Sequence, residues 1–147
     1  MPDIKRLEPG DAAEWIDLRQ ALWPDTDAVA LRAEVAGYRP DTGDTVALGA
    51  FVDGKLSGFA EASIRSTGSG CHIEQTPWLE GIYVAPSMRG QGMAAALVKA
   101  VEDWARLKGF DCLASDARID NDISIDRHGK WGFAQVERVV IFRKTLT

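Results

Sequence analysis

The stretch from Leu79 to Trp104, LEGIYVAPSMRGQGMAAALVKAVEDW, constrains the fold more than any other part of this 147-residue chain. An apolar, β-branched run reaches Pro86, and a short turn with Arg89, Gly90 and Gly92 follows. Met93, Leu97, Ala100, Val101, Trp104 and Leu107 then recur on one helical face, and Gly109 closes the pattern. The spacing predicts a strand over 77–86 and a long amphipathic helix over 90–108. A strand feeding a helix through so tight a turn is a unit of α/β domains.

The turn has a chemistry of its own. A helix N-terminus presents unpaired N–H groups and partial positive charge. Glycines let those amides approach a phosphate with no Cβ between, and Arg89 adds a planar donor fork. The residues therefore suggest a phosphate or pyrophosphate site. They leave open a plain tight turn with Arg89 and Gln91 facing solvent. A P-loop is excluded, because GxxxxGK[ST] does not occur. A dinucleotide fingerprint fits poorly: Gly90-Gln91-Gly92-Met93-Ala94-Ala95 ends in Ala and comes late in the chain.

The remaining segments read as follows. DIKRL is a first strand. DAAEWIDLRQALW is a helix with Asp11 as N-cap and Pro24 as its stop. DAVALRAEVAGY is a second helix. TVALGAFVDGKLSGFAEASIR is a hairpin turning at Asp53-Gly54. STGSGCH is a loop, FDCLASDA a fifth strand and NDISIDRHGKW a short helix. FAQVERVVIFRKTL supplies one or two final strands. The order β, α, α, β, β, β, α, β, α, β, β predicts one α/β domain over 1–147 with a mixed sheet.

Composition removes several classes of function. A net charge of −5 disfavours nucleic acid as a partner and suits a cationic small molecule. The apolar runs are too short to span a bilayer, and MPDIKRLEPGD lacks a signal-peptide core. A cytoplasmic location without membrane attachment is the expectation. Cys71 and Cys112 form no CxxC pair and read as free thiols. Cys71, His72 and Glu74 lack a fourth ligand at standard spacing, so no metal is expected.

VAPSMRGQGMAAAL resembles the acyl-CoA-binding motif of the GNAT N-acetyltransferase superfamily, [R/Q]-x-x-G-x-[G/A]. Arg89, Gly92 and Ala94 match it position by position. The element order resembles that family along the whole chain. The resemblance implies a twisted, mostly antiparallel mixed sheet of six to seven strands with helices on both faces. It implies acetyl-CoA as co-substrate. Amides across Arg89, Gly90, Gln91, Gly92, Met93 and Ala94 would hold its pyrophosphate. The backbone of Ile82, Tyr83 and Val84 would pair with the pantetheine arm, and Asn121 would bond that arm too. Asn121 is equally a good helix N-cap.

LRQALWP, GFAEASIR, LEGIYVAPSMRGQG, ASDARIDNDIS, HGKWGF and ERVVIFRK resemble, in order and spacing, the aminoglycoside 6'-N-acetyltransferase branch. That implies catalytic roles for Glu80, Asp116 and His128, and substrate contacts from Trp23, Glu80, Asp116 and Glu137. The chemistry suits them. A carboxylate at Glu80 attracts an ammonium and accepts its proton, more readily through water than directly, since the reference pKa of Glu is about 4.3. Three carboxylates suit a polycationic sugar. Trp23 offers a ring face to a sugar and its charge, or a packed core indole. His128 stands where many family members carry a Tyr that protonates the leaving thiolate. A His suits that task at neutral pH, and an outward-facing helix residue is the alternative. The segment 66–76 lacks the aromatic residue that relatives offer to the drug. The expected reaction is acetyl transfer to the 6'-amine of an aminoglycoside by direct attack in a ternary complex, by a homodimer pairing through ERVVIFRK. The alternatives are another small amine (a polyamine or amino-acid derivative), a protein N-terminus, or a non-catalytic acyl-CoA sensor.

Overall fold

Asp53 and Gly54 turn the chain where the sequence predicts a hairpin, with φ of 51° and 77°. Two positive φ values in a two-residue turn match the twist of the strands on either side. Those strands are β2, Thr45–Val52, and β3, Lys55–Arg65. A computed structural model describes residues 2–39, 43–66 and 75–147.

The other strands are β1, Asp3–Arg6; β4, Thr76–Val84; and β5, Ala114–Ser115. They form one sheet in the order β1-β2-β3-β4-β5. All neighbours are antiparallel except β4 and β5, which run parallel. The helices are α1, Ala12–Leu22; α2, Ala28–Gly37; α3, Met93–Leu107; and α4, Asp122–Lys130.

Helices cover both faces of the sheet. Side chains alternate along a strand. Phe59 of β3 meets Trp23 edge-on at 6.4 Å, at the end of α1. At its neighbour Gly58, a Cβ would point instead at Met93 Sδ of α3, 3.2 Å away. Leu7, Trp15, Val35, Ala47, Phe51, Leu56 and Phe59 form the core under α1 and α2. On the other face α3 packs across β2, β3 and β4 with Met93, Leu97, Val98, Val101 and Trp104 buried.

Several expectations are corrected. Five strands are present among the described residues, not six or seven. Residues 133–147 form no strand, and Val139, Val140, Ile141 and Phe142 are exposed: a strand exists only when a partner supplies its ladder, and this chain offers none there. The fifth strand is confined to two residues, because β5 leaves β4 after Ser115. The main helix starts at Met93, the turn taking up residues 90–92. Asp11 is the N-cap residue of α1, but its carboxylate accepts from the Glu8 N–H and caps no α1 amide. Cys112 is disulfide-bonded rather than a free thiol. The readings of Cys71, His72 and Glu74, and most of the loop 66–76, lie outside the described residues.

The chain divides into two compact units, Met1–Asp116 and Ala117–Thr147. The first holds the sheet with α1, α2 and α3; the second holds α4 and residues 131–147. No helix of the described residues is long and apolar enough to cross a membrane.

Candidate active site

The turn between β4 and α3 is built for open backbone. Gly90 and Gly92 have φ of 81° and 79°, where side chains are strained. A Cβ at either would meet nothing within 4 Å, so the space in front of them is clear. Gly92 is the N-cap of α3 with no side-chain cap. The first amide returned to the helix is Ala96 N–H, to the Gly92 carbonyl at 3.0 Å. The amides of Met93, Ala94 and Ala95 therefore precede the helix ladder and are available to an anion. Arg89 does not simply face solvent. Its Nε donates to the Val84 carbonyl at 2.9 Å, and its guanidinium lies 5.3 Å from the Tyr83 ring centroid. It ties the turn to the end of β4.

The strand leading into that turn has one open edge. Ile82, Tyr83 and Val84 pair with Ala60, Phe59 and Gly58 on the β3 side. On the other side, pairing with β5 ends at Leu79↔Ser115. Among the described residues, the outer backbone edge of residues 80–84 carries no ladder bonds. An extended group that can accept and donate hydrogen bonds would fit along it.

A bulge sets the side chains at the head of this edge. Gly81 pairs with Glu61 and Leu79 with Ala62, so Glu80 is an extra residue on β4. The bulge turns Glu80 and Gly81, though consecutive, toward the same helix-covered face. Glu80 reaches Ser63 and Arg65 there, while Gly81 lies directly under the Trp23 indole. A Cβ at Gly81 would sit 2.6 Å from Trp23 Cζ2, so only glycine allows the ring to lie on the strand. Trp23 is half-buried and joins the core beneath α1, with the Arg19 guanidinium 5.1 Å from its ring.

Glu80 is tightly held. Ser63 Oγ donates to Oε1 at 2.6 Å, Arg65 Nε to Oε1 at 2.7 Å, and Arg65 Nη2 to Oε2 at 2.5 Å. Burial alone pushes the carboxyl pKa up. The Arg65 and Ser63 hydrogen bonds and the Arg65 charge outweigh burial and bring it below its ordinary value. Glu80 is thus an ionised acceptor at neutral pH and a poor direct base. Asp116 follows the last residue of β5, is exposed, and acts electrostatically on Arg65. Glu80 and Asp116 therefore both act on Arg65, Glu80 by hydrogen bonds and Asp116 by its charge.

A cavity of about 320 Å³ opens beside Glu80, lined among others by Ser63, Glu61, Arg19, Glu34 and Tyr38. Several of its polar groups bind one another. Arg19, 6% exposed, donates to both Glu61 oxygens, at 2.8 and 3.1 Å, and to Glu34 at 2.6 Å. Trp15 Nε1 donates to Glu61 at 2.9 Å. Burial pushes the Glu61 carboxyl up, with Arg19 and Trp15 pulling against it.

The second unit carries Asn121, His128 and Glu137. Asn121 is the N-cap of α4, its Oδ1 accepting the Ser124 N–H at 3.1 Å. The cap leaves its Nδ2 donors unused. His128 Nδ1 donates to the Ser124 carbonyl at 2.7 Å, which can only accept. The proton is thereby fixed on Nδ1, and Nε2 can act as an acid only in the imidazolium. Trp131 and Phe133 flank the ring at 5.3 and 5.2 Å. Glu137 is exposed in the segment without strand or helix. Among the described residues no group of three His, Cys, Asp or Glu side chains is arranged to hold a metal ion.

Residues 12–133 match the model of the acetyltransferase (GNAT) family. The chain belongs to that family. It is 39% identical over 151 residues to the aminoglycoside N(6')-acetyltransferase type 1 of Klebsiella aerogenes, covering 99% of this chain and 97% of that one. The enzyme of that name from Serratia marcescens is 41% identical over 133 residues, covering 90% and 91%. A solved structure of AAC(6')-Iy with the bisubstrate analogue CoA-S-monomethyl-acetylneamine superposes with a TM-score of 0.91 at 35% identity, covering 99% of both chains.

In this GNAT chain the sequence pointed to Glu80, Trp23, Asp116 and the glycine turn, and the first unit holds all of them. It gave no role to Arg65 or to Gly81. Arg65 ends the hairpin run GFAEASIR, and nothing in the run says which carboxylate it meets. A bulge has no signature in a strand of ordinary composition. The glycine inside the apolar run LEGIYV was the one available signal.

Proposed function

We propose that this acetyltransferase moves the acetyl group of acetyl-CoA to the 6'-amine of an aminoglycoside. The observation that carries the reading is the single-sided strand β4. Its open edge runs from the ionised Glu80 to the glycine turn and the free amides of α3. Such an edge suits the amide-bearing arm of CoA, and the turn suits its pyrophosphate. The amine nitrogen attacks the thioester carbon, a C–N bond forms and the C–S bond breaks. Glu80 attracts the ammonium and takes its proton through water. Asp116, Glu137 and Trp23 bind the remaining rings and charges. The departing thiolate is protonated by His128 as imidazolium or by solvent. Asn121 Nδ2 donates to the CoA arm. Acetylation removes a positive charge from the drug, which weakens its hold on RNA and gives resistance.

The reading also includes a single acetyltransferase domain over 1–147, in keeping with a family match that spans both compact units. It includes a cytoplasmic location, where acetyl-CoA is available. The cysteines lend that location no support, because disulfides are uncommon there. It includes a homodimer in which the segment ERVVIFRK, residues 137–144, pairs with a second copy.

Glu80→Gln tests the catalytic assignment. Turnover should fall by about 10² or more, with CoA affinity by calorimetry retained. Full turnover in Glu80→Gln would contradict it.

A further inference from the structure

Glu80 holds a carboxylate with about four acceptor positions. Three are filled: two on Oε1 by Ser63 and Arg65 Nε, one on Oε2 by Arg65 Nη2. The Arg fork fixes the plane of the carboxylate as well as its place. Arg65 is itself fixed, its guanidinium lying 4.2 Å from the ring centroid of Trp78, which is 7% exposed and packed against Ala114.

We propose that Arg65 is a positioning residue for the transfer reaction, clamping Glu80 so that one acceptor position, on Oε2, is left for the substrate amine or its bridging water. The inference rests on the proposed role of Glu80. It adds a second consequence. A substrate ammonium meets Glu80 already half-neutralised by a neighbouring cation, so it must settle against the remaining lone pair and Asp116 rather than displace the fork. Guanidinium-to-carboxylate geometry then decides which direction the amine can come from. Among the described residues, the other charged groups near Glu80 do not do this. Arg19 is committed to Glu61 and Glu34. Arg39 donates to the Ala36 and Tyr38 carbonyls. Asp116 bears on Arg65 itself.

The sign of the pH effect follows. Arg65 lowers the Glu80 pKa by hydrogen bonding and by charge, and burial opposes it. Removing Arg65 leaves burial less opposed, so Glu80 protonates at higher pH. The acid limb of kcat/KM moves the same way.

The test uses the full chain with kanamycin and acetyl-CoA, and follows the Glu80 carboxyl by carbon-13 NMR. Arg65→Met keeps the stem on Trp78 and loses the charge. Arg65→Lys keeps a charge without the fork. In Arg65→Met the Glu80 titration and the acid limb should both rise. Its kcat should fall by about tenfold to a hundredfold, with the acetyl-CoA KM held within about twofold. Arg65→Lys should return the titration toward wild type and leave kcat low. If Arg65→Met does not fold, as judged by thermal unfolding, the low kcat with unmoved acetyl-CoA KM of Arg65→Lys decides. An unmoved Glu80 titration in Arg65→Met, or an unmoved kcat in either variant, overturns the inference. Glu80→Gln run alongside separates the two levels. Loss of turnover there with wild-type behaviour of the Arg65 variants overturns this inference alone, whereas full turnover in Glu80→Gln overturns the proposed role of Glu80 with it.

Discussion

At the scale of single residues, two neighbours on β4 do different work because a bulge gives them the same face. Gly81 makes room for the Trp23 ring, and Glu80 carries the charge. Gly81→Ala places a methyl group 2.6 Å from the Trp23 ring and 3.2 Å from Leu22. The expected cost is about 1–3 kcal/mol of stability, read by urea denaturation. The amine KM should rise while the acetyl-CoA KM holds, because Trp23 moves and the glycine turn does not. An Ala variant of native stability and native amine KM would contradict the packing described. Glu80 was legible in the sequence because a lone acid stands out in an apolar strand. Its partner was not, because Ser63 and Arg65 reach it across a strand pairing whose register a bulge has shifted.

At the scale of elements, the sequence was most legible where periodicity is strong. The turn residues of the β2–β3 hairpin and most of the apolar stripe of α3 read directly; Leu107, expected on that stripe, is 87% exposed at the end of the helix. It was least legible where an element depends on a partner. FAQVERVVIFRK has the β-branched composition of a strand, yet 133–147 is without strand pairing in this chain. Val140, Ile141 and Phe142 are 76%, 88% and 88% exposed. So much apolar surface in a row can accept another strand. If a second copy supplies it, light scattering of the purified chain gives the mass of two chains, and removal of residues 136–147 gives one. A single-chain mass for the full protein at micromolar concentration would contradict the dimer.

At the scale of the whole molecule, the order of elements carried the fold class, and the glycine turn carried the cofactor. The strand count did not follow, since the sheet closes at two residues of β5 and the last segment stays outside it. The substrate rests on a handful of carboxylates and one indole, whose spatial arrangement the order of segments cannot specify. The central claim is acetyl transfer to a 6'-amine. The most direct measurement is thiol release from acetyl-CoA with kanamycin, tobramycin, a 6'-hydroxyl aminoglycoside, spermidine and short peptides as acceptors. Turnover with the two 6'-amino drugs, and none with the 6'-hydroxyl drug, is the predicted result. Silence on both 6'-amino drugs with CoA still bound, or equal turnover of spermidine or peptides, would contradict it.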